Sequence, residues 1–274
     1  GLGSYGHNQQ IGNNASHSIT FYNLDVLESW YDTRGTIYVE NVLDLTTHRF
    51  RLGVGSDATQ VIVGKSTATA QSSNSKNAGL STGGYIQGSG GFSQGTQSAS
   101  NTIKGASTLY PCIMNMTGTQ NWIFGIAVSQ TAYQPTSSSN PLQLADLEFA
   151  DAWTTVDVGV PLYYKLIGDM KFAAVTLADE INLDLNGQRA EFSGGLFNNT
   201  GTLTDGGDNS LIHITGTSAL RSYTGDSSTQ WSFGHHNDDP NMTLGNTDMI
   251  ISGGAASIKM PSTANDFART VLVS

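Results

Sequence analysis

The chain has 274 residues, a formal net charge of −10 and a charged fraction of only 12%. Binding of nucleic-acid phosphates needs clustered Lys and Arg, so this acidic balance argues against nucleic acid as a partner. The single cysteine, Cys112, excludes intrachain disulfides and multi-thiolate metal sites. No apolar run approaches the roughly 18 residues of a membrane helix, so membrane insertion is not expected.

Residues 1–17 and 18–67 differ in composition. The first range is rich in Gly, Asn and Gln without periodicity, which predicts an N-terminal arm. The second contains segments such as SITFYNL and GTIYVENVL, which alternate in polarity and are rich in β-branched and aromatic residues. These segments predict consecutive antiparallel strands in a first β block.

Residues 68–105 consist largely of Ser, Gly, Gln, Asn, Thr and Ala. This composition predicts a linker or a contact loop. A loop of that length in a compact domain is usually functional or ordered by a neighbouring subunit.

A second β block is predicted over residues 106–177, with NWIFGIAVS, PLQLADLEF and PLYYKLI as its clearest strands. One alternating set of apolar residues predicts the buried side of a strand: Leu142, Leu144, Leu147 and Phe149. The alternation holds only with a bulge at Ala145-Asp146.

Residues 178–274 contain shorter apolar segments, each closed by a Gly-rich or Asn-rich turn. Four glycines recur at nine-residue intervals: Gly207, Gly216, Gly225 and Gly234. Regular short strands indicate stacking, as in a fibre or a β-solenoid. The predicted fold is therefore all-β, with antiparallel β-sandwich or jelly-roll-like blocks followed by this Gly-rich short-strand region.

The sequence DGGDNS presents oxygen ligands on a tight glycine turn through Asp205, Asp208 and Asn209. This pattern is similar to the start of a calcium loop, although the glutamate that closes an EF-hand is absent. The turn is interpreted either as a structural Ca²⁺ site or as an ordinary Asp/Gly hairpin turn, and no other cofactor is predicted.

Paired carboxylates for glycoside hydrolysis could come from Asp146, Glu148 and Asp151. Carboxylates on a solvated face produce the same pattern, and the chain contains no G-x-S-x-G, P-loop or dinucleotide-binding pattern. The protein is therefore predicted not to be an enzyme, with a polysaccharide hydrolase or lyase as the alternative.

Aromatic residues next to Asn, Gln, Asp and Thr are typical of sites that bind sugars by stacking and hydrogen bonding. Three are predicted to bind glycan: Trp231, Tyr223 and Trp153. Trp231, between Gln230 and Ser232, is the preferred exposed residue. Other aromatics, among them Tyr163, have similar neighbours, and each can instead belong to a core.

The segment Leu183-Asp184-Leu185-Asn186-Gly187, followed by Gly-punctuated strands through Gly254, resembles the repetitive β regions of bacteriophage tail fibres, tailspikes and other virion appendages. The resemblance covers about the last third of the chain. It implies homotrimeric assembly and binding to glycans of the host surface.

The function predicted from these observations is that of a virion structural protein on the particle surface. It assembles as a homo-oligomer, favoured as a trimer, contacts other virion proteins and contributes to host-glycan binding. The alternatives are a capsid coat or decoration protein, a subunit of a cellular extracellular filament, and an extracellular polysaccharide-degrading enzyme. The expected location is the virion surface or the extracellular space.

Overall fold

The computed structural model consists of β-strands, turns and corners, with no helix in the part of the chain that it describes. None of the described residues forms a helix able to span a membrane. The described residues are 9–12, 14–27, 31–65, 83–94, 98–116, 137–154, 161–177, 181–193, 196–198, 201–216, 220–221, 231–232, 241–243, 245–252, 258–259 and 269–272.

The strands are short and follow one another closely. Those of the first half are β1 (Gln9–Ile11), β2 (Ser18–Asp25), β3 (Tyr31–Thr33), β4 (Gly35–Asp44), β5 (Arg49–Leu52), β6 (Thr59–Val63), β7 (Tyr85–Gly88), β8 (Gly91–Gln94), β9 (Thr102–Gly105), β10 (Cys112–Met116) and β11 (Leu142–Ala145). Those of the second half are β12 (Leu147–Thr154), β13 (Leu162–Leu166), β14 (Met170–Leu177), β15 (Ile181–Asp184), β16 (Arg189–Phe192), β17 (Leu196–Asn198), β18 (Thr202–Thr204), β19 (Ser210–Ile214), β20 (Leu220–Arg221), β21 (Trp231–Ser232), β22 (Asn241–Thr243), β23 (Thr247–Ile251), β24 (Ile258–Lys259) and β25 (Arg269–Leu272).

Every pairing between these strands is parallel, and each strand pairs with the strand that follows it one turn later. The chain therefore winds as a β-solenoid. Each coil passes through three faces, here called I, II and III in chain order. Face I holds β1, β3, β5 and β8 in the first coils. In later coils the corresponding strands are the ends of β12 and β14, followed by β17 and β20.

Face II is continuous along most of the described solenoid. It holds the start of β2, the start of β4, and then β6, β9, β11, β13, β15, β18 and β22. Face III holds the ends of β2 and β4, then β7, β10, the starts of β12 and β14, β16, β19, β23 and β25.

The predicted antiparallel sandwich or jelly roll is wrong, whereas the all-β prediction is confirmed for the described residues. Sandwich strands joined by short turns pair with their sequence neighbours, but here the chain turns a corner and pairs one coil later. Asn23 and Asn41, for example, lie 18 residues apart and share a side-chain hydrogen bond of 2.9 Å.

Several strands lie in ranges for which the sequence predicted other structure. β7, β8 and β9 fall in the second half of the range predicted as a linker or contact loop, and β1 falls in the predicted arm. Residues 68–82 and 95–97 of the linker range lie outside the described residues.

The core is built of columns in which each coil places one apolar side chain above the next. On face III the buried column is Leu43, Ile86, Met114, Phe149, Phe172, Phe192, Ile214 and Ile251. Within it the rings of Phe149, Phe172 and Phe192 stack with centroids 5.2 Å apart at each step. Burial of such side chains contributes roughly 1.5–3 kcal/mol each, so these columns hold the coils together.

Aspartates at the corners fix the direction of the chain. The carboxylates of Asp44 and Asp184 each accept a hydrogen bond from the backbone N–H two residues later, at 2.7 and 2.9 Å. In both cases the accepting turn contains a residue with positive φ, Thr46 or Asn186. These Asx turns let the chain bend sharply while the N–H group of the corner keeps a partner.

Candidate functional site

The outward side of face II carries an unbroken column of polar residues. In strand register, the column reads Ser18, Thr36, Gln60, Thr102, Gln143, Lys165, Asp184 and Thr204, and all of these except the buried Thr102 are at least partly exposed. Its members come from successive coils because each strand pairs in parallel with the strand one coil later. They face outward because alternate residues of a strand point to opposite sides of the sheet. The column thus presents hydroxyl and amide groups along the solenoid axis.

A second outward column runs beside the first, two residues earlier on each strand. It contains Tyr163, Asn182 and Thr202, which are paired in register. Tyr163 is half-buried, while its neighbours Leu162 and Tyr164 are in the core. The ring of Tyr163 is therefore held on the outer surface by a strand whose alternate side chains are fixed in the interior.

The two columns border a groove of about 390 Å³ on face II. Its lining includes Gln143, Tyr163, Lys165, Asn182 and Asp184, together with residues of the coils on either side. The groove thus combines the outward-facing ring of Tyr163 with amide, hydroxyl and charged groups.

One wall of the groove is a tight turn that precedes β11. Ser138 and Ser139 line the groove at its tip. The turn is closed by the backbone N–H of Asn140, which donates to the carbonyl oxygen of Ser137 at 3.0 Å. Two exposed hydroxyl groups therefore stand beside the aromatic and amide groups of the strands.

Lys165 and Asp184 form an ion pair in the groove, with 3.6 Å between Nζ and Oδ2. Their side chains are 35% and 25% exposed, so solvent partly screens the pair. The second oxygen of Asp184, Oδ1, accepts the N–H of Asn186 at 2.9 Å. The carboxylate is thus fixed by the corner of its own coil, and it in turn holds the lysine.

Other polar groups of the groove are also held in place by the scaffold. The side-chain amide of Asn182 donates to the carbonyl oxygen of Leu162 at 3.2 Å, one coil earlier. The hydroxyl of Thr102 donates to Oε1 of Gln143 at 3.1 Å. Because the coils fix these side chains before any ligand binds, little side-chain entropy would be lost on binding.

Trp153, predicted to bind glycan, lies in the core with 1% of its surface exposed. Its ring stacks on Phe149 at 5.3 Å and contacts Tyr164 edge to face at 5.3 Å. In this position it cannot contact a surface ligand, so Trp153 does not belong to a glycan-binding site. Tyr223 lies outside the described residues. For Trp231 the structure describes only the backbone, in β21, which pairs with β24.

The predicted calcium ligands are placed at the corner between faces II and III. Asp205 is 1% exposed, and its two oxygens accept the N–H groups of Gly207 at 2.8 Å and of Asn246 at 2.7 Å. Asp208 and Asn209 are exposed. Within the described residues, no group of three or more His, Cys, Asp or Glu side chains is arranged to hold a metal ion. Asp205 acts instead as a buried acceptor that joins two coils.

The carboxylates considered for hydrolysis do not converge on the groove. Asp146 has a φ of 54° and occupies the corner between β11 and β12, so it does not share a strand face with Glu148. Glu148 points outward on face III, with Oε2 3.8 Å from Nζ of Lys171. Asp151 is exposed farther along β12.

Sequence reasoning did not select Lys165 and Asp184, and it named Tyr163 only among many aromatics. The available signal was the alternation in PLYYKLI, which places Tyr163 and Lys165 on the side opposite to Leu162, Tyr164 and Leu166. Asp184 joins them only through the pairing of β13 with β15, which that alternation does not reveal. Comparison of the chain with protein-family models, with curated proteins and with solved structures finds no match.

Proposed function

We propose that the protein is a structural and binding protein of a virion surface, and that it attaches to a host-surface glycan through the groove on face II. The observation that carries this proposal is the position of Tyr163, a surface ring flanked by the amides of Gln143 and Asn182. Sugars present apolar ring faces to aromatic side chains and hydroxyl groups to amides. The groove offers both kinds of contact, because the ring of Tyr163 and the amide of Asn182 lie on adjacent paired strands.

The surface chemistry of face II supports an extracellular or virion location. Its outward column on face II, from Ser18 to Thr204, contains one acid and one base among eight residues. Such a surface loses little hydration energy when it contacts neutral polymers or neighbouring subunits, because few charges have to be desolvated.

The proposal is that the groove binds glycan and does not hydrolyse it. Among the described residues that line the groove, Asp184 is the one carboxylate, and it is engaged by Lys165 and by the N–H of Asn186. Hydrolysis by the usual glycosidase mechanism uses two carboxyl groups that face the same bond. Release of reducing sugars by the purified protein would contradict this part of the proposal.

Assembly as a homo-oligomer, favoured as a trimer, belongs to the same proposal because symmetry multiplies weak glycan sites into useful avidity. Sedimentation of the protein as a monomer at micromolar concentration would contradict it.

Substitution of Tyr163 tests the groove directly. Tyr163→Ala removes the stacking surface, and we expect roughly a tenfold loss of affinity on a glycan array, equivalent to ~1.4 kcal/mol. Stability should change little because the ring is half-buried and faces outward. Tyr38→Ala is the matched control, since Tyr38 also lies on the outer side of face II, is 39% exposed, and is outside the groove. Equal binding by both variants and the unmodified protein would overturn the proposed site.

A further inference from the structure

We infer that the groove takes an uncharged, linear glycan laid parallel to the solenoid axis, and that Asp184 excludes anionic glycans by neutralising Lys165. This inference rests on the proposed function and specifies the ligand of the same site.

The direction of the ligand follows from the way the groove is built. Its lining residues come from five successive coils, represented by Thr204, Asp184, Lys165, Gln143 and Ser100. Parallel strands lie about 4.8 Å apart, so the groove extends on the order of 20 Å along the axis. A linear chain of several sugar rings fits this length, and a branched or compact glycan would contact fewer coils.

The polar column continues past the groove toward the N-terminus. Gln60 and Thr36 extend it toward the N-terminus, beyond the coil of the buried Thr102. A chain lying along the axis thus meets partly exposed hydroxyl or amide side chains on several coils. A chain lying across the axis would instead leave face II within one strand length.

The charge preference follows from the pairing of Lys165 with Asp184. Among the described lining residues these two are the only charged groups, so the groove has no net charge when the pair is intact. An anionic glycan would have to compete with a carboxylate that is covalently fixed next to the lysine. The net charge of −10 of the whole chain opposes anionic ligands further.

The position of the Asp184 carboxylate is restricted by its surroundings. The N–H of Asn186 donates to Oδ1 at 2.9 Å. On the next coil, Gly206 lies so close that a Cβ added there would sit 2.5 Å from the same oxygen. The space for the carboxylate therefore depends on glycine at this corner, and the carboxylate has little freedom to turn away from Lys165.

Asp184→Asn is the decisive substitution because it keeps the shape of the side chain and an oxygen for the N–H of Asn186 while removing the charge. Lys165 then stands in the groove without a counter-ion. On an array of linear neutral and uronate-containing oligosaccharides, we expect the ratio of uronate to neutral binding to rise at least about fivefold. The gain should disappear in 0.5 M salt, a concentration at which charges are strongly screened. It should also disappear in the double variant Lys165→Gln/Asp184→Asn.

The chain-length dependence tests the orientation on the same array. Neutral linear oligosaccharides should bind more tightly as they lengthen from two to about four or more residues, which would span the groove. Thermal melting of each variant checks that the fold is retained.

The outcomes separate this inference from the proposed function. Suppose that the unmodified protein binds neutral oligosaccharides in a manner that depends on Tyr163, but Asp184→Asn leaves the ratio of uronate to neutral binding unchanged. The proposed role of Asp184 is then wrong, while the groove is still the glycan site. If the unmodified protein prefers uronates, the inference is also wrong. If it binds no glycan, or binds independently of Tyr163, the proposed function fails and the inference fails with it.

Discussion

The backbone N–H of Thr59 donates to Oδ1 of Asn101 at 2.8 Å, although 42 residues separate them in the chain. Asn101 in turn donates its side-chain amide to the carbonyl oxygen of Leu52 at 3.2 Å. The hydroxyl of Thr59 donates to the carbonyl of Thr33 at 2.6 Å, one coil earlier. These side chains form a buried polar ladder at the corner between faces I and II, where the backbone leaves one sheet and has not yet entered the next.

Replacement of Asn101 by alanine should destabilise the protein by about 2–4 kcal/mol. Asn101 is fully buried, and its loss leaves the N–H of Thr59 and the carbonyl of Leu52 without this partner in the interior. The shift should appear as a lower denaturant midpoint, measured by circular dichroism. Asn115→Ala, at an exposed outward position of β10, is the control and should stay within about 0.5 kcal/mol. Similar midpoints for the two variants would show that the ladder contributes little.

The thiol of Cys112 should be unreactive in the folded protein. Cys112 is fully buried beside Leu147 of the next coil, and burial raises the pKa of its thiol far above the usual range. Since the thiolate is the reactive form, labelling by a thiol reagent should be slow in buffer and fast in denaturant. Because the chain has one cysteine, the labelling rate reports directly on opening of the core.

The same shift in pKa predicts how stability changes with pH. The unfolded thiol ionises near pH ~8.5, while the folded thiol keeps its proton. The stability from this group is therefore complete below about pH 8.5 and is lost as pH rises, by at most ~1.4 kcal/mol per pH unit. Burial also raises the pKa of Tyr164, which adds the same trend above pH ~10. Cys112→Ala should flatten the slope between pH 8.5 and 10, and an unchanged slope would assign the trend to other groups.

Within PLQLADLEF, the sequence was sufficient to predict which residues face the interior, although it did not predict the burial of Trp153 farther along β12. Leu142, Leu144, Leu147 and Phe149 are all buried, and the predicted irregularity at Ala145-Asp146 is the corner where Asp146 takes a positive φ. The alternation of apolar and polar residues along a strand shows which side of the sheet each residue faces, and it is the same for parallel and antiparallel pairing. For this reason the inward residues could be predicted and the strand partners could not.

The spacing of the coils explains why the solenoid was not predicted for the whole chain. Partners one coil apart are separated by 18 residues at Asn23 and Asn41, by 20 at Leu166 and Asn186, and by 42 at Thr59 and Asn101. A repeat of such variable length leaves no fixed period in the sequence. Among the described glycines, the nine-residue interval does not mark equivalent positions of the coil either, since a Cβ at Gly216 would overlap the backbone of Ser193, whereas Gly207 has open space. Gly225 and Gly234 lie outside the described residues. The groove combines side chains from several coils, so its composition could not be assembled without the pairing.

Asp205 provides a test of whether the DGGDNS corner is a cation site or a hydrogen-bonded joint between coils. Both of its oxygens accept backbone N–H groups, and Oδ2 also lies 3.4 Å from the hydroxyl of Thr247. Lone pairs that point toward N–H groups are not available to a cation. We therefore expect the melting temperature to be the same in excess calcium and in excess chelator.

The joint itself should matter for stability. Asp205→Ala removes the acceptor for the N–H groups of Gly207 and Asn246, and we expect a loss of about 1–3 kcal/mol in the free energy of unfolding. Asp208→Ala is the matched control in the same turn, because Asp208 is exposed and should contribute less than about 0.5 kcal/mol. A bound cation would stabilise the folded state in proportion to its concentration. A melting temperature that rises with calcium in the unmodified protein, and no longer does so in Asp208→Ala, would therefore restore the calcium interpretation and contradict the hydrogen-bonded joint.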